Sequence, residues 1–493
     1  MVIAEGQPSP LRRNARTALM LFLCLTFLYL LTSTGRVHTI DEISTVIQTE
    51  SLVLHGTTAI PQALNSKIYF GKIDRQGQAR SPYPPGQSLA TAPWYALGYY
   101  VLAKLPGVAP DIRDLVVSMA SLWSNAAYAA LSVTLFFLLA VSLGLSRRDA
   151  LLSAGVVGLA SLLFVYSGWL FSEPLTTAIW LGAALALFGI EPGHEISSRR
   201  AIIAGLLLGF SLHVRPTNLF GTFIFVAAVL LRNSPKKIQT AAIVSAAVGT
   251  AGIIYLLRNY SFYGNALEFG YPQFVEGGRE ANTFDNPIYI GLFGFLFSPG
   301  KSIILFCPPI LLGIVGLSRL WRRDRGLALV CGAIPLIYLL FYSIYGNWEG
   351  TYSYGPRYLV PSAVLLCVGI CGLFLEKPAW FGRALATVFA LGFLVQVIGL
   401  STNIIEDMVG NRYYDAKWNY QLGYSAITGQ LHLIGKYLGG APAGLGMGFD
   451  RWFQFLRKAG VPGSTVAMIL IPIVIGFLVF GWMLLREFRE AEA

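Results

Sequence analysis

Residues 11–42 read LRRNARTALMLFLCLTFLYLLTSTGRVHTIDE. Arg12, Arg13 and Arg16 precede a run from Ala18 to Leu31 that carries no charge. A helix that crosses a bilayer needs about 20 mostly apolar residues, and basic residues collect at its cytoplasmic end. The exit, Thr32-Ser33-Thr34-Gly35-Arg36, has no convincing small-residue cleavage site of a secretory signal. The run therefore reads as a retained first span, which delivers Thr39-Ile40-Asp41-Glu42 to the opposite side of the membrane.

The pattern recurs along the chain. Twelve apolar segments fall near 17–34, 115–143, 149–167, 172–190, 201–214, 216–231, 239–257, 301–318, 327–345, 358–375, 384–401 and 464–485. Charged residues make up 12% of the 493, half the roughly 25% of a soluble domain, and the mean hydropathy is +0.60. These features predict an all-α, polytopic transmembrane protein, one helical body instead of a string of soluble domains. The fifth and sixth segments meet at His213-Val214-Arg215-Pro216. They are either two short spans or one helix broken at Pro216, because the residue before a proline resists helix. The count is thus 12, within 11 to 13.

Every second connection is short and basic: Arg147-Arg148, Arg199-Arg200, Arg232 with Lys236 and Lys237, Arg319 to Arg325, Lys377 with Arg383, and Arg486 with Arg489. This places both termini in the cytoplasm. The net charge of +11 is then accounted for by these loops and by anionic headgroups; no nucleic-acid-binding module is present. The five cysteines lie in or beside apolar runs without a CxxC pattern and read as packing residues.

The other connections include three long ones, 35–114, 258–300 and 402–463. Long loops of this kind usually carry function. They divide the chain into a catalytic module, 1–401, and an outer loop with a final span, 402–493. In the first loop, Ile43, Val46, Ile47 and Leu54 recur at helical spacing and predict an amphipathic helix at the membrane surface. Asp41 and Glu42 open it, and Thr39-x-x-Glu42 is also a capping box. A second interfacial helix is expected at Leu89–Leu102, after Arg80-Ser81-Pro82-Tyr83-Pro84-Pro85-Gly86-Gln87. Further polar groups gather at the same ends of the spans: Ser172-Glu173-Pro174, His213, Arg215, Ser298-Pro299-Gly300-Lys301, and Trp348, Tyr352, Tyr354 and Arg357 within 347–358.

Ionisable groups at span ends are costly, and serve either as anchors or in function. Here carboxylates, separated cations and Gly/Pro turns converge on one side. That set suits transfer of a group away from a phosphate. The leaving group needs cations around it and no acid, whereas an acceptor hydroxyl needs one carboxylate base. Glycosidases, by contrast, need a flanking pair. Arginine offers a fork of donors to phosphate and lysine a point charge.

At these residues the chain resembles the GT-C superfamily of membrane glycosyltransferases, in its phospholipid-carrier-dependent, glycosyltransferase family 39-like branch. The resemblance runs in order through Asp41-Glu42, Tyr83-Pro84-Pro85-Gly86, Ser172-Glu173-Pro174, Arg215-Pro216, Phe262-Tyr263-Gly264-Asn265 with Gly270-Tyr271, Ser298-Pro299-Gly300-Lys301 and Gly355-Pro356-Arg357-Tyr358. It implies a GT-C fold, a polyprenyl-phosphate-linked monosaccharide donor, inversion at the anomeric carbon and an acidic base matching Asp41. Asp41 and Glu42 are therefore the candidate catalytic pair. Arg357, Lys301, Arg215 and Tyr83 are the candidate donor-phosphate ligands. Glu173, Trp348, Tyr352, Tyr354 and His213 are candidates for the sugar or acceptor. Relatives carry lysine where Tyr83 stands, which leaves Lys72, Arg75 or Arg80, or Lys301 with Arg357, to meet the phosphate. Some relatives bind a divalent metal; with no HxxH or paired carboxylate cluster here, no metal or other cofactor is expected to be essential. The expected acceptor is a hydroxyl of a glycan, lipid or protein at the periplasmic face of a bacterial inner membrane, with membrane lipids as partners. The alternatives are a lipid-linked polysaccharide ligase or polymerase, or a lipid or sugar transporter.

Overall fold

The computed structural model describes residues 14–65, 71–190, 193–270, 274–275, 279–280, 283–350, 352–410, 416–440, 449 and 451–490. Arg12, Arg13, Tyr271 and Thr351 lie outside the described residues.

Each of the twelve apolar segments forms helix. Among the described residues, seven helical stretches are long and apolar enough to cross a membrane: Ala15–Thr32, Pro110–Ser142, Lys237–Tyr263, Arg325–Ser343, Arg357–Glu376, Phe381–Ser401 and Gly463–Glu490. The other five segments give shorter helices: Arg147–Ala160 continued by Leu163–Tyr166, Glu173–Phe188, Ser198–Val214, Asn218–Leu231, and Ile303–Phe306 continued by Ile310–Arg323. The protein is an all-α, polytopic integral membrane protein. Its described strands are two hairpins of two-residue strands, Lys72–Ile73 with Ala79–Arg80 and Phe274–Val275 with Arg279–Glu280. A further apolar helix, Ile288–Phe297, lies within the second long loop and is too short to cross.

The question at Pro216 is settled by packing. Gly205 meets Val244 and Ala247, and Gly209 meets Ala247 and Ala251, so positions rise together along Ser198–Val214 and Lys237–Tyr263. Small residues allow this close approach. Two neighbouring helices that run parallel require the intervening Asn218–Leu231 to run back. Arg215 is extended, at φ −154 and ψ 125, and the chain reverses there. These are two short helices, not one kinked helix.

Contacts between connections sort them onto two faces. On one face, Arg147 bonds Asn14 at 3.0 Å and Glu487 at 2.8 Å. Lys377 pairs with Asp149, Arg319 with Glu376, Arg232 with Asp324, and Lys236 with Glu195. On the other face, Trp452 N–H donates to the Ser33 carbonyl and Gly300 N–H to the Asn419 carbonyl, and Lys301 reaches Ser353. The alternation expected from Arg and Lys is thus present in space, with the first and last described helices beginning and ending on the basic face. They also pack together, Phe27 stacking on Phe480 at 6.0 Å.

On the opposite face lie the loop helices Ile40–His55 and Gly86–Tyr100. The first turns its polar stripe toward the protein. Ser44, Thr45, Gln48, Thr49 and Ser51 are buried, while Ile43, Val46, Ile47 and Leu54 are only partly so. The reason is the neighbour. Ser88 Oγ donates to Gln48 Oε1 at 2.8 Å, and Thr49 Oγ1 to the Ser88 carbonyl at 3.5 Å, so the polar stripe is matched by the second loop helix.

Candidate active site

Thr39 is the N-cap of Ile40–His55, in extended conformation, and its side chain accepts from Glu42 N–H. The helix start is therefore pinned, and Asp41 in the first turn projects into a cleft at the end of the helical bundle. Asp41, Thr45, Tyr83, Gln87, Leu170, Phe171, Ser172, Glu173, Val214, Arg215 and Arg357 line this cleft.

Asp41 is held at both oxygens. Tyr83 donates its hydroxyl to Oδ1 at 2.6 Å, and Arg357 donates Nη1–H to Oδ2 at 2.9 Å. Tyr83 reaches it from the proline-rich turn. That turn sits hard against the apex of the neighbouring hairpin: a Cβ on Gly86 would lie 2.4 Å from the His213 carbonyl oxygen. The Arg357 guanidinium lies over Phe171 at 4.3 Å and Tyr358 at 4.9 Å. Such faces attract a cation. Its Nε–H has no partner among the described residues.

Arg215 donates to Glu173 Oε1 at 2.7 Å and lies 5.0 Å over the same Tyr358 ring. Tyr358 in turn stacks on Tyr342 at 4.4 Å. One aromatic ring thus lies within about 5 Å of two guanidinium groups, each paired with one carboxylate. An incoming phosphate can compete with the carboxylates for both forks.

Five of the expected site residues thus meet: Asp41, Tyr83, Glu173, Arg215 and Arg357. Six lie elsewhere. Glu42 is fully buried; its Oε2 accepts from His38 N–H at 2.7 Å and Thr39 N–H at 3.0 Å, and its Oε1 from Leu170 N–H at 2.8 Å. The structure gives it the capping box and the 170 segment, not the cleft. Lys301 is buried, with Nζ on the Ser353 carbonyl at 2.9 Å and hydroxyl at 3.0 Å. Trp348 is buried edge-on against Phe295 at 5.2 Å. Tyr354 is buried, its hydroxyl on the Val395 carbonyl at 2.6 Å. Tyr352 is partly buried against the core. His213 bonds the Ala251 carbonyl at 3.1 Å. Nor do Lys72, Arg75 and Arg80 reach the cleft: Lys72 pairs with Glu268 at 2.7 Å, Arg75 N–H donates to the Phe262 carbonyl, and Arg80 lies 3.9 Å over Phe262. They tie the first long loop to the second.

Two of the solved structures that match this chain are of one protein. The chain is similar to the crystal structure of ArnT from Cupriavidus metallidurans in the apo state, at 12% identity and a TM-score of 0.47. It is also similar to the same protein bound to undecaprenyl phosphate, at 14% identity and 0.43. Each match covers 95% of this chain and 76% of the other. No family model matches the chain, and neither does any curated protein.

Two contributors carried no role assigned from the sequence. Phe171 supplies the platform under Arg357. Asn125, in the middle of Arg113–Ser142, donates to the Trp169 and Phe171 carbonyls and accepts from Gln87 at 3.2 Å. It fixes the segment that carries Phe171. An amide within an otherwise apolar span is the signal that points to it. Among the described residues, no group of three or more His, Cys, Asp or Glu side chains is placed to hold a metal ion.

Proposed function

We propose that this protein is an inverting glycosyltransferase of GT-C type that moves a monosaccharide from a polyprenyl-phosphate carrier to a hydroxyl acceptor. The observation that carries the reading is the union of Asp41 with Tyr83 and Arg357 in a cleft at the bundle end, beside Arg215. A transporter site is expected near the membrane midplane, between broken helices. Here the polar groups sit at helix termini instead: Asp41 in a first turn, Glu173 opening Glu173–Phe188, Arg215 closing Ser198–Val214.

The donor phosphate draws Arg357 off Asp41 and shares it with Arg215. That frees Asp41 Oδ2 to accept the proton of the acceptor hydroxyl, while Tyr83 keeps the carboxylate oriented through Oδ1. The acceptor oxygen attacks the anomeric carbon from the face opposite the phosphate, and the bond from that carbon to the phosphate oxygen breaks. The products are the glycosylated acceptor and the polyprenyl phosphate; Asp41 passes its proton to solvent. No acid is needed at the leaving group, since phosphate carries the charge. The basic face of the protein is cytoplasmic in this reading, which puts the cleft outside.

The test is incubation of the purified protein in lipid with a panel of polyprenyl-phosphate monosaccharides and an acceptor extract, following release of polyprenyl phosphate. Wild type is expected to release it with at least one donor, and Asp41→Asn to fold and lose at least 1,000-fold of the rate, on the order of 4 kcal/mol of transition-state stabilisation. An active Asp41→Asn enzyme sinks the assignment of the base. Release from diphosphate-linked glycans instead moves the reading to a ligase.

A further inference from the structure

The cleft holds two carboxylates, and only one is fully engaged. Asp41 is bonded at both oxygens. Glu173 is 2% exposed, and its Oε1 takes Arg215. Its Oε2 is buried and has no hydrogen-bond partner among the described residues. Leaving a buried carboxylate oxygen without a donor costs about 1–3 kcal/mol or more, and native proteins seldom do so without cause. Glu173 lines the same cleft as Asp41 and Arg357. It is the first residue of Glu173–Phe188, where the helix dipole favours the anion. Its backbone is fixed by Thr177, whose hydroxyl donates to the Glu173 carbonyl at 2.7 Å.

We propose that the free Oε2 of Glu173 is the subsite that reads the transferred sugar, accepting a hydrogen bond from one of its hydroxyl or ammonium groups. The proposal rests on the transferase reading above. Arg215 orients Glu173 through Oε1, so the second oxygen presents a fixed acceptor at a fixed place. A sugar with a donor there satisfies the orphan oxygen. A sugar with a carboxylate there meets like charge. Glu173 is thus a binding residue that sets donor specificity, distinct from Asp41, which takes the proton. Sites built to bond a substrate hydroxyl reject analogues that lack it far more strongly than apolar pockets reject extra bulk.

The test uses the full-length protein in lipid nanodiscs and two classes of probe: bare polyprenyl phosphate, and polyprenyl-phosphate hexoses, pentoses, amino sugars and uronates. The quantity read is the ratio of the two affinities. Wild type is expected to favour at least one neutral or amino sugar over bare phosphate. Glu173→Gln puts an amide N–H where the acceptor was and is expected to cut that preference roughly ten- to a hundredfold; any change that the loss of its charge beside Arg215 makes to phosphate binding is common to both probe classes and divides out of the ratio. Polyprenyl-phosphate uronates are expected to gain in the same variant. A cooperative thermal unfolding transition near that of wild type serves as the folding control. Should Glu173→Gln fail it, Glu173→Asp, which keeps the charge and withdraws the oxygen by one methylene, is expected to show the same loss of preference. Equal weakening of both probe classes overturns the proposal and leaves Glu173 as a partner of Arg215 alone. A preference that survives both substitutions overturns it while the transferase reading stands. A wild type that favours no sugar overturns both.

Discussion

Tyr83 and Glu42 show how a residue's role follows from its partner. Tyr83 stands where a lysine was expected to meet phosphate, yet its hydroxyl lies on Asp41 at 2.6 Å. Tyr83→Phe is therefore expected to lower kcat about tenfold with the donor KM within twofold of wild type, the pattern of a lost orienting bond. A rise in KM at constant kcat would return Tyr83 to the phosphate. Glu42 is adjacent to Asp41 in sequence and faces away from it. Glu42→Ala strips the partner from three backbone N–H groups and is expected to cost about 2 kcal/mol, read as a fall in the thermal unfolding midpoint. The molecules that stay folded should keep the wild-type turnover rate, which would distinguish a cap from a second base.

The relevant element is the first long loop, and its attachment is electrostatic. Asp74 accepts from Arg80 Nε at 2.7 Å and from Gln76 and Gln78 N–H at 2.9 and 2.8 Å. Burial alone raises its pKa, but the Gln78, Arg80 and Gln76 bonds outweigh burial and hold the carboxyl below its ordinary value. A depressed folded pKa contributes stability above the unfolded value, roughly 4, and loses it as pH falls through the folded value. The hairpin of residues 72–80 should thus resist limited proteolysis at pH 7 and open as pH drops below about 4. In Asp74→Asn it should be cut at pH 7 already, with little further change on acidification. Because Arg80 also covers Phe262, the two long loops are expected to loosen together.

At the scale of the whole molecule, the ion pairs Arg147–Glu487, Lys377–Asp149, Arg232–Asp324 and Lys236–Glu195 place the basic connections on one face. Orientation then follows from a single comparison. In intact cells an impermeant maleimide is expected to label Gln76→Cys, and to label Lys236→Cys only after permeabilisation; the reverse result would put the cleft in the cytoplasm. The five native cysteines are buried, so the background is low.

The sequence by itself determined the helices and their alternation. An apolar run such as 18–31 has no soluble alternative, and the arginines at 147–148 or 319–325 cannot be carried through a bilayer without great cost. Local chemistry sufficed for the cap at Thr39 too, because Glu42 lies three residues away. It also marked Asp41, Glu173, Arg215 and Arg357 as groups at one end of the bundle. Only the tertiary structure decided which of them touch. Asp41 and Arg357 are 316 positions apart, and no periodicity encodes that pairing. Likewise Lys301 and Arg357 read alike as cations, but the first is enclosed behind Ser353 while the second enters the cleft. The loop helix Ile40–His55 follows the same rule. Its apolar spacing marked a stripe, but which stripe is buried depends on what packs against it, and there the partner is the polar edge of Gly86–Tyr100.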